Sequence, residues 1–297
     1  MDNNTQTTMD RRGFLKLSGA GLSGLLLQPT AQAFASASSE DDVAILYDAS
    51  KCIGCRACER ACKECNNLPV EPEPPSDLSA ITWNLIQQRK GIALDDQPFF
   101  NLQCMHCTDA ACVMVCPTGA LYKDRRGFVA LDEEKCNGCG YCTQFCPFGV
   151  SHLKDVNLVT GKAKAGKCIF CCQNQPQEGL GRVACVEACP TGALRLDWRQ
   201  KLVDEAKIRV SELKAAGHSG AMLYGEKEAG GLHRLSVLLD EPSAYGLPDD
   251  PQVPITLSYV WQKILQPVGS IAFGATLVSS AAAYLITRRT IHMEEVE

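Results

Sequence analysis

Sixteen of the eighteen cysteines in this 297-residue chain fall into four quartets, and no ordinary hydrophobic core accounts for thiols at such spacing. Cys52, Cys55, Cys58 and Cys62 read C-x2-C-x2-C-x3-C, and Cys136, Cys139, Cys142 and Cys146 repeat that pattern. Cys104, Cys107, Cys112 and Cys116 read C-x2-C-x4-C-x3-C, whereas Cys168, Cys171, Cys185 and Cys189 read C-x2-C-x13-C-x3-C. Three quartets end in Cys-Pro, and Cys65 and Cys172 are left over.

Thiols in this number make disulfides, hold zinc or hold iron-sulfur clusters. Zinc draws its ligands as separated C-x2-C pairs and gains nothing from a third cysteine two residues on. A c-type haem needs C-x-x-C-H, which does not occur; His106 lies inside Cys104-Met-His-Cys107 instead. Three closely spaced cysteines wrap around one cubane, and a proline turn carries the fourth away to a different cluster. This is the bacterial ferredoxin pattern, and it occurs here four times. Sixteen ligands at four per cluster predict four [4Fe-4S] centres.

The units repeat in pairs. Asp48-Ala-Ser-Lys-Cys52-Ile-Gly-Cys55 aligns with Asp132-Glu-Glu-Lys-Cys136-Asn-Gly-Cys139, and Cys116-Pro-Thr-Gly-Ala-Leu121 recurs as Cys189-Pro-Thr-Gly-Ala-Leu194. Each unit is half a ferredoxin. Short strands are expected at Val43 to Tyr47, Gly119 to Tyr122, Phe128 to Leu131 and Gly192 to Leu196, with single helical turns between them. Leu68 to Pro75 reads as a stiff, acidic, proline-rich surface connector. Lys201 to Ala216 places Leu202, Ala206, Val210 and Leu213 on one helical face ending at Gly217, with Gly230 to Leu239 as a following loop and strand.

The two ends of the chain predict where it resides. Asp10-Arg11-Arg12-Gly13-Phe14-Leu15-Lys16 precedes a weakly apolar run, Leu17 to Leu27, and the small-residue site Ala31-Gln32-Ala33. That order is an export signal of the twin-arginine type, with cleavage after Ala33 or Ala37. Proteins on this route cross the membrane folded, so clusters can be inserted in the reducing cytoplasm, which argues against disulfides. At the other end, Ile264 to Thr287 holds no ionisable residue over 24 positions. As a helix that is about 36 Å, enough for the hydrocarbon core. Arg288 and Arg289 follow, which puts the C-terminus inside and the cysteine-bearing part outside. Small residues such as Gly269, Gly274 and Ala281 to Ala283 suit packing against other membrane helices.

At this point the chain resembles a known family: the iron-sulfur beta subunits of membrane-bound, nitrate-linked formate dehydrogenase and of the nickel-iron uptake hydrogenase. The shared motifs are Cys-Ile-Gly-Cys-Arg-Ala-Cys at 52 to 58, Gln-Cys-Met-His-Cys at 103 to 107, Gly-Cys-Gly-Tyr-Cys at 138 to 142 with Cys146-Pro-Phe, and Tyr224-Gly-Glu-Lys-Glu-Ala-Gly-Gly. Tyr245-Gly-Leu-Pro-Asp-Asp-Pro is most similar to the formate dehydrogenase branch. The export signal on this subunit and the spacing from Lys167-Cys168 to Cys189 are more similar to the hydrogenase branch.

The resemblance implies an α+β chain of tandem bacterial-ferredoxin-like 4Fe-4S subdomains, one inserted in the other, plus one C-terminal transmembrane helix. It implies nested pairing, with centres held by Cys52/Cys55/Cys58/Cys189, by Cys168/Cys171/Cys185/Cys62, by Cys104/Cys107/Cys112/Cys146 and by Cys136/Cys139/Cys142/Cys116. Cys172 is an alternative ligand in the fourth quartet. The expected organisation is a twin-arginine signal peptide at 1–33 and a split two-cluster subdomain at 43–98 and 165–200. A second two-cluster subdomain follows at 99–164, then a docking segment at 201–258, an anchor at 259–289 and a cytoplasmic tail at 290–297.

A formal charge of −5, with 29 basic against 34 acidic residues and no basic block, gives no footprint for nucleic acid. Nucleotide-binding loops and nucleophile-base constellations are absent from the sequence, and the five histidines are scattered. The expected role is therefore non-catalytic electron transfer at the inner membrane, with the cluster domain on the periplasmic face. The expected partners are a molybdopterin formate dehydrogenase catalytic subunit or a nickel-iron hydrogenase, and a membrane cytochrome b subunit that reduces quinone; another molybdopterin oxidoreductase is a third choice. A zinc-stapled or disulfide-stapled interaction module is the reading from a different class, separable by iron and sulfide analysis.

Overall fold

In the computed structural model, residues 42–89, 99–157, 162–171, 179–251 and 265–290 are described. The signal segment 1–33 and Cys172 lie outside these residues, as does most of the Cys171 to Cys185 insert.

Val43–Asp48 (β1) is buried at every position, as expected of an apolar run lying between two neighbours in a sheet. It pairs antiparallel with Leu194–Trp198 (β8), bringing Leu46 opposite Arg195. On its other edge it pairs parallel with Arg234–Leu238 (β10), which pairs antiparallel with Met222–Tyr224 (β9). The order β8-β1-β10-β9 therefore joins the first quartet's leading strand to the last quartet's trailing strand, about 150 residues apart in sequence. Leu121–Lys123 (β4) and Val129–Leu131 (β5) form the equivalent hairpin between the middle quartets.

The repeat visible in the sequence is also a repeat of hydrogen bonds. Asp48 N–H donates to the Ala193 carbonyl at 2.8 Å, and Asp132 N–H to the Ala120 carbonyl at 2.8 Å. Gly119 and Gly192 donate to the carbonyls of Cys116 and Cys189, each at 3.4 Å. Equivalent residues thus close equivalent loops in both halves.

The helices follow the proline rule. After the second, third and fourth quartets' internal turns the chain makes only one helical turn, at Ala111–Met114 (α2), Tyr141–Gln144 (α3) and Ala184–Glu187 (α4), and each is followed by a Cys-Pro. Ala57–Cys65 (α1) runs nine residues instead of the expected single turn, because Lys63 stands where the others have proline. Strand β4 starts two residues later than expected, since Gly119 takes a left-handed φ of 65° that no strand can include.

Arg199–Ala215 (α5) buries Leu202, Val203, Ala206 and Leu213 against the four-stranded sheet and ends before Gly217, where φ is 106°. The Leu68 to Pro75 connector is largely exposed, with Val70 82% exposed. Asn84–Gln88 (β2) and Phe99–Gln103 (β3) form a hairpin that the sequence did not announce. Its inner residues Leu85, Phe100 and Asn101 are fully buried. Strands His152–Asn157 (β6) and Lys162–Gly166 (β7) form a further hairpin next to the third quartet.

Gln266–Thr290 (α6) is helical where the sequence predicts the anchor, and Val268, Ile271, Phe273, Leu277, Val278, Tyr284 and Leu285 are all exposed. Among the described residues no helix is long and apolar enough to cross a membrane. The spanning reading therefore rests on the sequence run alone, which begins at Ile264 outside the described residues.

Candidate iron-sulfur centres

The fold brings the cysteines together in mixed sets. Cys52, Cys55 and Cys58 line one small cavity with Cys189 from the last quartet, walled by Tyr47, Ile53, Ile86 and Leu194. Cys136, Cys139 and Cys142 line a second with Cys116 from the second quartet. Cys104, Cys107 and Cys112 line a third with Cys146 from the third quartet. Three small spaces, each with four thiols and mainly apolar walls, are suited to one kind of occupant.

The remaining four sulfurs are identified by how they act on each other. Burial pushes the Cys62 thiol well up, and the neighbouring sulfurs of Cys168, Cys185 and Cys171 push it further. Burial likewise raises Cys185 well above its ordinary value, with Cys168 and Cys171 again the nearest charges. Helix α1, which carries Cys62, packs on α4, which carries Cys185, and Cys62 shares a buried cluster with Cys168. The leftover Cys65 sits one turn beyond Cys62 and adds to the charge felt by Cys171.

The same neighbour relations give an order. Cys185 of this set feels Cys58 of the first. Cys168 feels Cys104 of the third, and Cys112 of the third feels Cys142 of the last. The first set therefore neighbours the second, the second the third and the third the fourth, with Cys55 exposed in the first and Cys139 exposed in the fourth.

Burial is the first cause of high thiol pKa throughout: Cys58, Cys112 and Cys168 rise to about 12 and Cys171 to about 11. Thiols raised in this way stay protonated unless a cationic core neutralises them, and cluster or metal binding releases those protons. The donor set is soft sulfur only, as 4Fe-4S clusters require. Among the described residues no three His, Cys, Asp or Glu side chains form a group that could hold a single metal ion.

Two glycines make the tight approach possible. Gly54 and Gly138, each between the first two cysteines of a C-x2-C, have φ of 69° and 73°. A Cβ at Gly54 would enter the Phe99 ring, and one at Gly138 would meet the Ala163 carbonyl.

Several site residues had no sequence signal. Asn101 directs Nδ2 at Cys58 Sγ across 3.6 Å. Ala165 N–H donates to Cys136 Sγ at 3.4 Å. Asn66 donates to the Cys62 carbonyl at 2.8 Å and reaches its sulfur at 3.7 Å. Each such contact steadies a thiolate. None is findable from spacing, because each depends on a remote strand or helix end.

A ferredoxin-like chain whose thiols gather in mixed tetrads is an iron-sulfur electron carrier by class. Residues 96–199 match the family model described as a 4Fe-4S dicluster domain, and residues 43–64 match that of a 4Fe-4S binding domain. The chain is 34% identical over 278 residues to the formate dehydrogenase-O iron-sulfur subunit of Escherichia coli strain K12, covering 88% of this chain and 87% of that protein. It is 33% identical over 272 residues to the formate dehydrogenase iron-sulfur subunit of Haemophilus influenzae, covering 86% and 84%. The hydrogenase-2 operon protein HybA of Escherichia coli O157:H7 is 33% identical over 264 residues, covering 75% of this chain and 79% of that protein. The chain belongs to the family of formate dehydrogenase iron-sulfur subunits, and its role is electron transfer.

Proposed function

We propose that this chain carries four [4Fe-4S] clusters in a row and relays electrons from a periplasm-facing formate dehydrogenase catalytic subunit to a membrane cytochrome b subunit that reduces quinone. When bound, each cluster accepts and gives up a single electron. What supports the reading above all is the succession of neighbouring mixed tetrads, with an exposed cysteine in the first and in the fourth. One end is open to a donor and the other to an acceptor.

The chain's own residues do the rest. Cys52, Cys55, Cys58 and Cys189 hold the first centre; Cys62, Cys168, Cys171 and Cys185 the second. Cys104, Cys107, Cys112 and Cys146 hold the third, and Cys116, Cys136, Cys139 and Cys142 the fourth. Buried side chains such as Met105, Val129 and Phe170 keep water from the interior of the row. The two-subdomain division proposed from the sequence follows the same pairing.

The uncharged run Ile264 to Thr287 supports a membrane anchor after the docking segment, and Arg288-Arg289 supports an inside C-terminus. The Arg11-Arg12 signal supports export of the folded chain. The likeness to HybA favours a second reading, the same relay serving a nickel-iron hydrogenase.

The test is purification from membranes with partners attached, followed by iron and acid-labile sulfide analysis and assays with formate and with hydrogen. Sixteen iron and sixteen sulfide per chain, with formate-dependent quinone reduction, are expected. A colourless, zinc-bearing or disulfide-bridged chain overturns the relay, and hydrogen-dependent activity alone selects the second reading.

A further inference from the structure

His106 belongs by backbone to one centre and by side chain to the next. It lies between Cys104 and Cys107 of the third tetrad, with a left-handed φ of 48°. That conformation is costly for a residue with a Cβ, and here it turns the ring away from its own loop. The ring reaches Cys168 of the second tetrad, Nε2 to Sγ 3.5 Å. His106 is 1% exposed, so no water competes for the contact.

The other ring nitrogen fixes which way that hydrogen bond runs. Val129 N–H donates to His106 Nδ1 at 3.1 Å, so Nδ1 is the acceptor and the ring proton sits on Nε2, facing the sulfur. The surroundings hold this arrangement. Phe128 and Phe170 stack with centroids 4.8 Å apart, and the imidazole meets both edge-on, at 6.3 and 5.0 Å. Lys167, also 1% exposed, ties the same strand to the same ligand by donating to the carbonyls of Val129 at 3.1 Å and Cys168 at 2.8 Å.

We propose that His106 sets the reduction potential of the second centre by donating its Nε2–H to the Cys168 sulfur. A donor aimed at a ligand sulfur stabilises the more negative, reduced form and raises the potential. In a dry site the effect is not screened by solvent. The third centre's loop thereby tunes its neighbour in the row, which makes the middle step of the relay a property of one imidazole. The inference rests on the four-centre reading above.

The experiment is a redox titration of the full chain in its membrane complex, followed by electron paramagnetic resonance, comparing wild type with H106F and H106Q. H106F keeps a buried ring but removes the donor, while H106Q keeps an N–H. In H106F one centre should be about tenfold less reduced at a fixed potential, a downward shift of 59 mV for a one-electron couple. The other three should not move, and H106Q should recover part of the shift. An unmoved second centre in a sample with full iron overturns the inference, as does a shift shared by all four centres. Wild-type protein labelled with 15N-histidine provides a check that needs no variant: the reduced second centre should show hyperfine coupling to one ring nitrogen, and its absence also overturns the inference. A wild-type sample short of four centres fails the relay reading itself, which separates the two failures.

Discussion

Arg234 Nη2 donates to Asn101 Oδ1 across 2.7 Å, with both residues 1% exposed. Asn101 in turn faces Cys58, so a buried cation on β10 is linked through the β2–β3 hairpin to the first centre. The guanidinium also lies over the Tyr47 ring, 5.0 Å from its centroid. Burial pulls its pKa down to about 10, while the sulfurs of Cys185, Cys58 and Cys168 and the Tyr47 hydroxyl push it back up. A buried positive charge facing two sets of thiolates is stabilising only while those thiolates are present.

Arg234→Met should therefore cost about 1.5–3 kcal/mol, the value of a buried hydrogen bond to a charged group, with Asn101 left unsatisfied. The measurement is the denaturant midpoint of the cluster-loaded chain. The loss should shrink when iron is removed, since the thiols then carry no charge for the guanidinium to face. Equal losses with and without iron would show that Arg234 is only a packing residue.

Cys62→Ala and Cys168→Ala should abolish the same paramagnetic signal, although 105 intervening residues separate the two positions. Cys62→Ala and Cys55→Ala should abolish different signals, although six residues separate them. Loss of one common signal from the Cys55 and Cys62 variants would disprove the mixed tetrads.

Gly138→Ala should lower the iron content by one cluster and spare the other three. Its Cβ would meet the Ala163 carbonyl while the backbone remains at a φ that side chains disfavour, so either β7 moves or the Cys139 loop does. Gly149→Ala is the control: its φ of 63° is equally left-handed but nothing lies within 4 Å of the added carbon. Iron analysis showing equal loss in both would trace the effect to backbone strain rather than to crowding.

On the proposed topology, replacing Arg11-Arg12 by Lys-Lys should strand the cluster-loaded chain in the cytoplasm, and removing residues 259–297 should release the cysteine-bearing part from the membrane in carbonate washes. Fractionation with iron assay reads both. Continued export of the first variant would remove the account of how the thiols escape oxidation, and membrane retention of the second would show that partners, not the C-terminal run, hold it.

The parts legible in the sequence were those built from neighbours. Spacing identified the sixteen cysteines and the repeats, and periodicity placed β1, β8 and α5 to within two residues of their observed starts. The helix through Cys62 differs from the expected single turn only in length, because Lys63 stands where the other quartets have proline. The β2–β3 hairpin went unseen because Asn84-Leu-Ile-Gln-Gln lacks clean alternation, and Asn101 is buried for a partner 133 residues away.

The sequence alone determined the donor chemistry: soft sulfur at cubane spacing. Tertiary structure decided which sulfurs face one another, the order of the tetrads and the company each thiolate keeps. The physical reason is range. A C-x2-C-x2-C loop is shaped by torsions within a few residues, whereas the meeting of Cys62 with Cys168, of His106 with Cys168 and of Arg234 with Asn101 depends on strands and helices packing across the whole chain.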